Sequence, residues 1–333
     1  MYAEYQVHKN PKNKKMIKRS GITNSVLHII TLFIASGVLM ACKQETGNNP
    51  EKFFRGNTHT HAEFSDSHNK NDVPTIARWY KKAGYDFLVI SEHNDRVSKK
   101  RVFCHDEASD PPDFIVLCGL ELSNSRHVTA LGIESFIGDE ISLQDGVSKT
   151  LAAGGVPILN HPQNPVETAS DFIATDGLNH LEVFNGNSPK DTQANEMLWD
   201  SILSSPVGRT VFAVAADDNH YKKSNVGRGW IMVNSPALTK EDIKESIRAG
   251  NFYASTGIIL KKYKIKGKSI VVDSKNGKTV LFIGKYGIVL KRVDGSGGEY
   301  NIQGNELYVR VKITGKKGKS AWMQPVFIKD MRF

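Results

Sequence analysis

The sequence predicts an α/β protein, a parallel sheet with crossover helices closing toward a barrel, with an antiparallel β appendage behind it. Three observations carry this. Short apolar runs alternate with segments of helical spacing from residue 52 to about 256, the pattern of βα units. That many strand candidates suit a closed sheet better than an open one. After residue 257 the helical spacing stops, and short apolar runs are separated by Gly-rich turns, as in antiparallel meanders.

The elements follow in order. Strands are expected at 54–60, 86–91, 114–121, 127–133, 155–160, 180–185 and 211–216, and helices at 73–83, 143–153 and 191–204. In the last helix Ala194, Met197, Leu198 and Ile202 fall on one face at helical spacing. A further helix at 240–249 has Thr239 and Asp242 placed like a capping box and Gly250 as its stop. In the appendage, strands are expected at 271–272, 280–283, 288–293, 307–313 and 326–328, between the turns at 276–277, 294–298 and 315–318.

Composition narrows the classes. With 333 residues, 39% hydrophobic and 24% charged, the chain can bury a core and is neither disordered, collagen-like nor a multi-span membrane protein. Its 3 cysteines cannot build a disulfide scaffold or a four-thiolate zinc site. The net charge of +9 is uneven: +5 over residues 1–41, −8 over 42–260 and +12 over 261–333. The acidic stretch holds the chemistry-bearing residues and would repel a phosphate backbone, which disfavours nucleic acid as a partner.

The first 42 residues read as an address. A basic segment with Lys9, Lys12, Lys14, Lys15, Lys18 and Arg19 precedes an apolar run too short and too polar-spotted to span a membrane comfortably. The run ends in Leu39-Met40-Ala41-Cys42, which resembles a bacterial lipobox, with Met40 where a small residue is usual. That resemblance implies lipidation of Cys42 and attachment to a membrane; a non-cleaved anchor and plain secretion remain open. All three export the protein, to the periplasm or the cell surface. Residues 43–51 read as a polar tether, 52–256 as the barrel and 257–333 as the appendage. An oxidising compartment would permit a Cys104–Cys118 bridge, but the apolar run before Cys118 favours two buried free thiols.

Histidines and acids collect near the strand ends. His59 and His61, two apart, fall on one face, and Asp66 follows in the next loop. His93 follows the second strand, Glu121 ends the third, His127 opens the fourth, His161 ends the fifth, and Asp218 and His220 close the last with the same spacing as His59 and His61. In a parallel α/β barrel the C-terminal strand ends meet at one mouth. One such residue is an ordinary polar group; nine near successive strand ends point to a metal cluster. Imidazoles and carboxylates without thiolates suit Zn, Mn or Fe. Period two selects Asp218 rather than Asp217 as the inward partner of His220.

The motifs Thr58-His59-Thr60-His61 with Ser65-Asp66, Ser91-Glu92-His93-Asn94, Gly119-Leu120-Glu121, His127, Asn160-His161-Pro162 and Asp218-Asn219-His220 resemble the PHP (polymerase and histidinol phosphatase) metallohydrolases. The segments Val226-Gly227-Arg228-Gly229-Trp230, 247–257 and Ala321-Trp322-Met323-Gln324-Pro325 look most like the CehA/McbA-like branch. The resemblance covers residues 53–333 and implies a distorted (β/α)7 barrel with two or three divalent ions. His59, His61, Glu121 and Asp218 would hold one ion. Glu121 would bridge to a second held by His127 and His161, and Asp66, His93 and His220 would hold a third. Glu92 stands where the family often has Asp.

Such a cluster implies hydrolysis: coordination lowers the pKa of a bound water to about 7, supplying hydroxide without a Ser or Cys nucleophile. A small phosphorylated substrate is the first expectation. An amide, carbamate or ester is the second, because the same chemistry reaches a carbonyl. A catalytically inactive surface-binding lipoprotein is the third. Arg228 is the candidate cation for a phosphate ester, ahead of Lys222 and Lys223, and Asn185 is a second candidate substrate contact. His68, His105 and His180 fit no ligand position and are expected at the surface or behind the ligands.

Overall fold

A computed structural model describes residues 52–63, 71–97, 113–124, 126–220 and 222–331. Residues 1–51, where an address segment with Cys42 and a tether are expected, and Asp66, His68, Cys104 and His105 lie outside the described residues. Residues 50–333 form one compact unit. Among the described residues no helix is long and apolar enough to cross a membrane.

The chain opens with β1 (Phe53–Asn57), α1 (Val73–Lys82), β2 (Phe87–His93), β3 (Ile115–Leu122), β4 (Val128–Leu131), α2 (Leu143–Ala152) and β5 (Val156–Leu159). It continues through α3 (Ala169–Ala174), β6 (His180–Asn185), α4 (Thr192–Leu203), β7 (Phe212–Ala216), β8 (Trp230–Asn234), α5 (Lys240–Arg248) and β9 (Phe252–Ser255). The C-terminal strands are β10 (Leu260–Lys266), β11 (Ser269–Ser274), β12 (Gly277–Ile283), β13 (Val289–Asp294), β14 (Gly297–Asn301), β15 (Tyr308–Gly315), β16 (Ser320–Met323) and β17 (Val326–Phe327). The seven expected strands and four expected helices of the first part are all present within a few residues. The short α3 and the strands β8, β9, β10, β14 and β16 were not anticipated.

Helix ends follow local chemistry. Asp72 accepts the Thr75 N–H at the start of α1, and Thr239 accepts the Asp242 N–H at the start of α5, each satisfying one orphan donor of a first turn. Gly84, at φ +80°, ends α1: its N–H reaches Lys81 and the Tyr85 N–H reaches Tyr80, a Schellman closure that needs a left-handed residue. Gly250 closes α5 in the same way, as its sequence position implied. The face assigned to α4 is corrected. Leu198, Trp199, Ile202 and Leu203 are buried with Asn195 and Asp200, whereas Met197 is 64% exposed. The inward stripe contains polar residues, so apolarity alone selected the wrong edge.

One sheet of 14 strands runs β13-β12-β15-β16-β9-β8-β1-β2-β3-β4-β5-β6-β7, with β17 attached to β15. Its pairing is mixed, which corrects the expectation of a parallel sheet. β1–β2, β2–β3, β5–β6 and β6–β7 are parallel, but β4 is antiparallel to both neighbours and β8 is antiparallel to β1. β3 ends at Leu122 and β4 begins at Val128, a link too short for a crossover helix, so the two strands run antiparallel.

Beyond β1 the chain continues between two strand ends. Thr60 forms a parallel bridge with Asn219, the His61 N–H donates to Asn219 O (2.9 Å), the Asp218 N–H to His59 O (3.1 Å) and the Ser91 N–H to Thr60 O (2.9 Å). The two ends of the β1-to-β7 run thus meet where the histidines lie.

The C-terminal strands join the same sheet through β16, which pairs with β9 and β15. They enclose an apolar cluster of their own that includes Ile270, Val272, Val280, Phe282, Val311 and Ile313. β10, β11 and β14 form a separate three-stranded sheet. β10 escaped the sequence reading because lysines fill its exposed positions.

Candidate metal centre

Residues at or just past the ends of β1, β2, β3, β5 and β7, with His127 just before β4, place their side chains around one point. Four atoms define it. His59 Nε2 and His61 Nε2 are 3.1 Å apart, His59 Nε2 is 3.4 Å from Glu121 Oε1 and 3.3 Å from Asp218 Oδ1, and His61 Nε2 is 3.5 Å from Asp218 Oδ1. Ligands at about 2.0–2.1 Å from a tetrahedral ion stand about 3.3 Å apart, so these separations are those of a coordination shell. Asp218 Oδ1 and Glu121 Oε2 are buried without a hydrogen-bond donor, a cost that a bound cation removes. The residues present therefore fit a divalent ion.

The other expected ligands surround this group. His93 Nδ1 lies 2.9 Å from Glu121 Oε2, His127 Nδ1 is 2.9 Å and His161 Nε2 is 3.3 Å from Glu121 Oε1, and His220 Nδ1 is 3.3 Å from Asp218 Oδ1. The rings of His93 and His220 stack on His61 at 4.4 and 4.2 Å. Three sets could each hold an ion: His59, His61 and Asp218; His93, Glu121 and His127; and His61, His93 and His220. Eight of the nine expected ligands thus meet, and Asp66 lies outside the described residues. The second set pairs His93, not His161, with His127 about Glu121.

Electrostatics agree with a site built for cations. Burial pulls the His59 pKa down, but Asp218, Glu121 and Glu182 together hold it well above the ordinary histidine value. For His161, Glu121 and Glu182 likewise outweigh burial and raise it to about 9. Burial lowers His61 to about 3. Glu121 stays well below the carboxylate range despite burial, held there by His59, His127 and His161. Among the described residues, the imidazoles of His59 and His161 offset the clustered carboxylates. His161 and Asp218 also adopt left-handed backbone, with φ of +26° and +49°, uncommon for residues with a Cβ.

Among the solved structures similar to this chain are two of bacterial origin. One, from Bacteroides vulgatus, is a two-domain protein containing a predicted PHP-like metal-dependent phosphoesterase; it is 14% identical with a TM-score of 0.48, over 82% of this chain and 95% of that one. The other is an amidohydrolase from Chromobacterium violaceum, 15% identical with a TM-score of 0.43, over 59% of this chain and 96% of that one. No family model and no curated protein matches the chain. The His/Asp/Glu groups themselves could hold metal ions.

Glu182 is the residue that sequence reasoning missed. It is fully buried, its Oε1 pairs with His59 Nδ1 at 2.8 Å, and its Oε2 accepts the His161 N–H (2.7 Å) and Asn185 Nδ2 (2.8 Å). A carboxylate behind a ligating imidazole fixes its tautomer and orientation. The available signal was a lone acid inside the apolar strand His180-Leu181-Glu182-Val183-Phe184. Asn160 supports Glu121 (2.9 Å), and Ser123 meets His93 Nδ1 (2.8 Å). Glu92 is buried and accepts the Ala62 N–H at 2.7 Å, beside His61.

Three expectations are adjusted, and one, the outward turn of Asp217, holds. Asn185 is fully buried and donates to Glu182 and Asp218, so it holds ligands instead of touching substrate. His180 is buried against Phe212 and Phe252 and bonds Ile247 O at 2.9 Å; burial lowers its pKa to about 4, and it is neither a surface residue nor behind a ligand. Cys118 is disulfide-bonded, not a free thiol; its partner sulfur lies outside the described residues. Asp217, the register alternative, points away from the cluster and accepts the N–H groups of Gly227, Arg228 and Gly229 at 2.7–3.0 Å.

That last contact shapes the mouth. Asp217 pins the loop, and Arg228 Nη1 donates to Gly186 O at 2.9 Å. Exposed Arg228 then lines a cavity with His220, Asn187 and Asn225. Lys222 lines it too, whereas exposed Lys223 does not.

Proposed function

We propose that the protein is an exported, metal-dependent hydrolase acting on a small phosphate ester, built on the distorted seven-stranded barrel its motifs imply. The observation that carries this is the meeting of His59 Nε2, His61 Nε2 and Asp218 Oδ1 within 3.1–3.5 Å of one another, beside a buried, undonated Glu121 oxygen. Two or three Zn, Mn or Fe ions held there would acidify water and neutralise charge developing on substrate oxygens. His59, His61, Glu121 and Asp218 would hold the first, with His93, His127, His161 and His220 completing the set, and Asp66 joining from the loop after β1. Glu182 and Asn160 keep the ligands aimed. Arg228 would meet the anionic group of a phosphate ester as it enters.

Export is supported by two features: the basic-then-apolar beginning that ends at Cys42, and the disulfide at Cys118, a bond that persists in oxidising compartments. Lipidation at Cys42 would tether the domain to a membrane. The alternative reaction is cleavage of an amide, carbamate or ester by the same centre, which the mouth's arginine favours less.

Turnover and metal content of the purified protein decide the matter. Chelation should abolish hydrolysis of aryl phosphates, and Mn or Zn should restore it. His59→Ala should lose activity by at least about a thousandfold and bind less metal, with an unchanged circular dichroism spectrum; full activity in that variant would refute the assignment. Arg228→Ala should raise KM about tenfold for a phosphate ester and leave a neutral aryl ester or carbamate unaffected. Preference for the carbamate in the parent protein would select the alternative.

A further inference from the structure

The mouth of the centre continues past Arg228. The cavity that contains His220, of about 510 Å³, shares Ser224 and Arg228 with a neighbour of about 1010 Å³. This larger cavity is lined by Lys190 and Glu196, after β6 and on α4, and by Lys312, Lys317 and Lys319, on β15 and the turn into β16. The turn is fixed by the Gly315 N–H donating to Lys319 O at 2.8 Å, with Lys317 at φ +56°.

The charges in this cavity do not balance. Glu196 is already engaged, by Lys312 Nζ at 2.6 Å and Trp322 Nε1 at 3.0 Å. Lys190, Lys317, Lys319 and Arg228 are exposed, and among the described residues none of the four has a carboxylate partner. Exposed cations are individually weak, but several lining one concavity concentrate the potential in it. This is also where part of the +12 of residues 261–333 is spent.

We propose that the larger cavity is a subsite for a second anionic group. The substrate is then an extended ester whose scissile end lies at the His/Asp/Glu cluster and whose far end carries a phosphate or carboxylate over Lys190, Lys317 and Lys319. The inference rests on the hydrolase reading for the first end only.

Alkanediol bisphosphates and carboxyalkyl phosphates of increasing chain length test it, against simple alkyl monophosphates and 4-nitrophenyl phosphate. For the doubly charged esters kcat/KM should climb to an optimum length, whereas the monophosphates show none; the two doubly charged series tell phosphate from carboxylate. The double variant Lys317→Ala/Lys319→Ala alters only exposed side chains, so folding is not at risk. It should raise KM about tenfold for the optimal doubly charged ester, with kcat and the 4-nitrophenyl phosphate kinetics unchanged. Equal KM values for singly and doubly charged esters in the parent, or equal losses on both in the variant, would overturn the subsite. If no phosphate ester is hydrolysed, the phosphate-ester reading fails instead. Calorimetric binding of inorganic tripolyphosphate then decides the subsite: weaker binding by the double variant supports it, and identical binding removes it.

Discussion

At the scale of the residue, the centre is a charge problem solved by geometry. Glu121, Asp218 and Glu182 are buried together, which is tolerable only with cations among them. His59 stands between them, with one ring nitrogen on Glu182 and the other toward Asp218 and Glu121. Glu182→Gln should keep the shape but lose the charge that orients His59 and binds the His161 N–H. Metal affinity should fall about 10–100-fold while the folded structure persists, as metal titration followed by elemental analysis would show. Unchanged affinity would mean Glu182 merely fills space. The clustering of the candidate ligands was legible in the sequence because they recur near strand ends, two pairs of them at period two. Glu182 was not, since a buried acid has no sequence signature until its imidazole partner is placed. Asn185 was misread for the same reason: it sits on a strand end like the ligands, yet its amide turns inward.

At the scale of the element, the strand ends must approach closely. Gly186, just past β6, has no room for a Cβ, which would press into the Asp217 carbonyl, and its own carbonyl accepts Arg228 Nη1. Gly186→Ala should therefore push β6 from the end of β7, displacing Asp217, Asp218 and Arg228 together. Activity should fall at least about tenfold, since small misplacements at a reacting centre are costly, alongside a loss of about 1–3 kcal/mol in denaturant unfolding. A variant as active and stable as the parent would show that the backbone gives way freely. Strands and helices were readable here because apolar period and caps are local properties. The mixed pairing was not: the direction of β4 depends on a tight link to β3, and β8 and β9 are defined by partners far along the chain.

At the scale of the whole molecule, the C-terminal strands are fastened to the rest by buried charge as well as by backbone pairing. Arg310 is 2% exposed and grips Asp200 of α4 at 2.7 and 2.6 Å, while Tyr308 donates to the same carboxylate at 2.9 Å. Removing one partner of such a pair leaves the other charged and buried. Asp200→Ala should cost about 3–5 kcal/mol in denaturant unfolding, whereas joint replacement of Asp200 and Arg310 by apolar residues should recover most of it. A loss under about 1 kcal/mol would place the pair among weak surface bridges. The sequence announced a change of pattern near residue 257, but not this fastening: the partners lie 110 positions apart.

The left-handed backbone at His161 and Asp218 has a wider meaning. A residue with a Cβ held in such a conformation costs on the order of 1–3 kcal/mol, added to the expense of crowding like charges. The fold thus gives up robustness in order to keep its reactive groups poised. Chains relieved of that duty at these two positions would be sturdier and inert, the usual bargain between endurance and work in proteins.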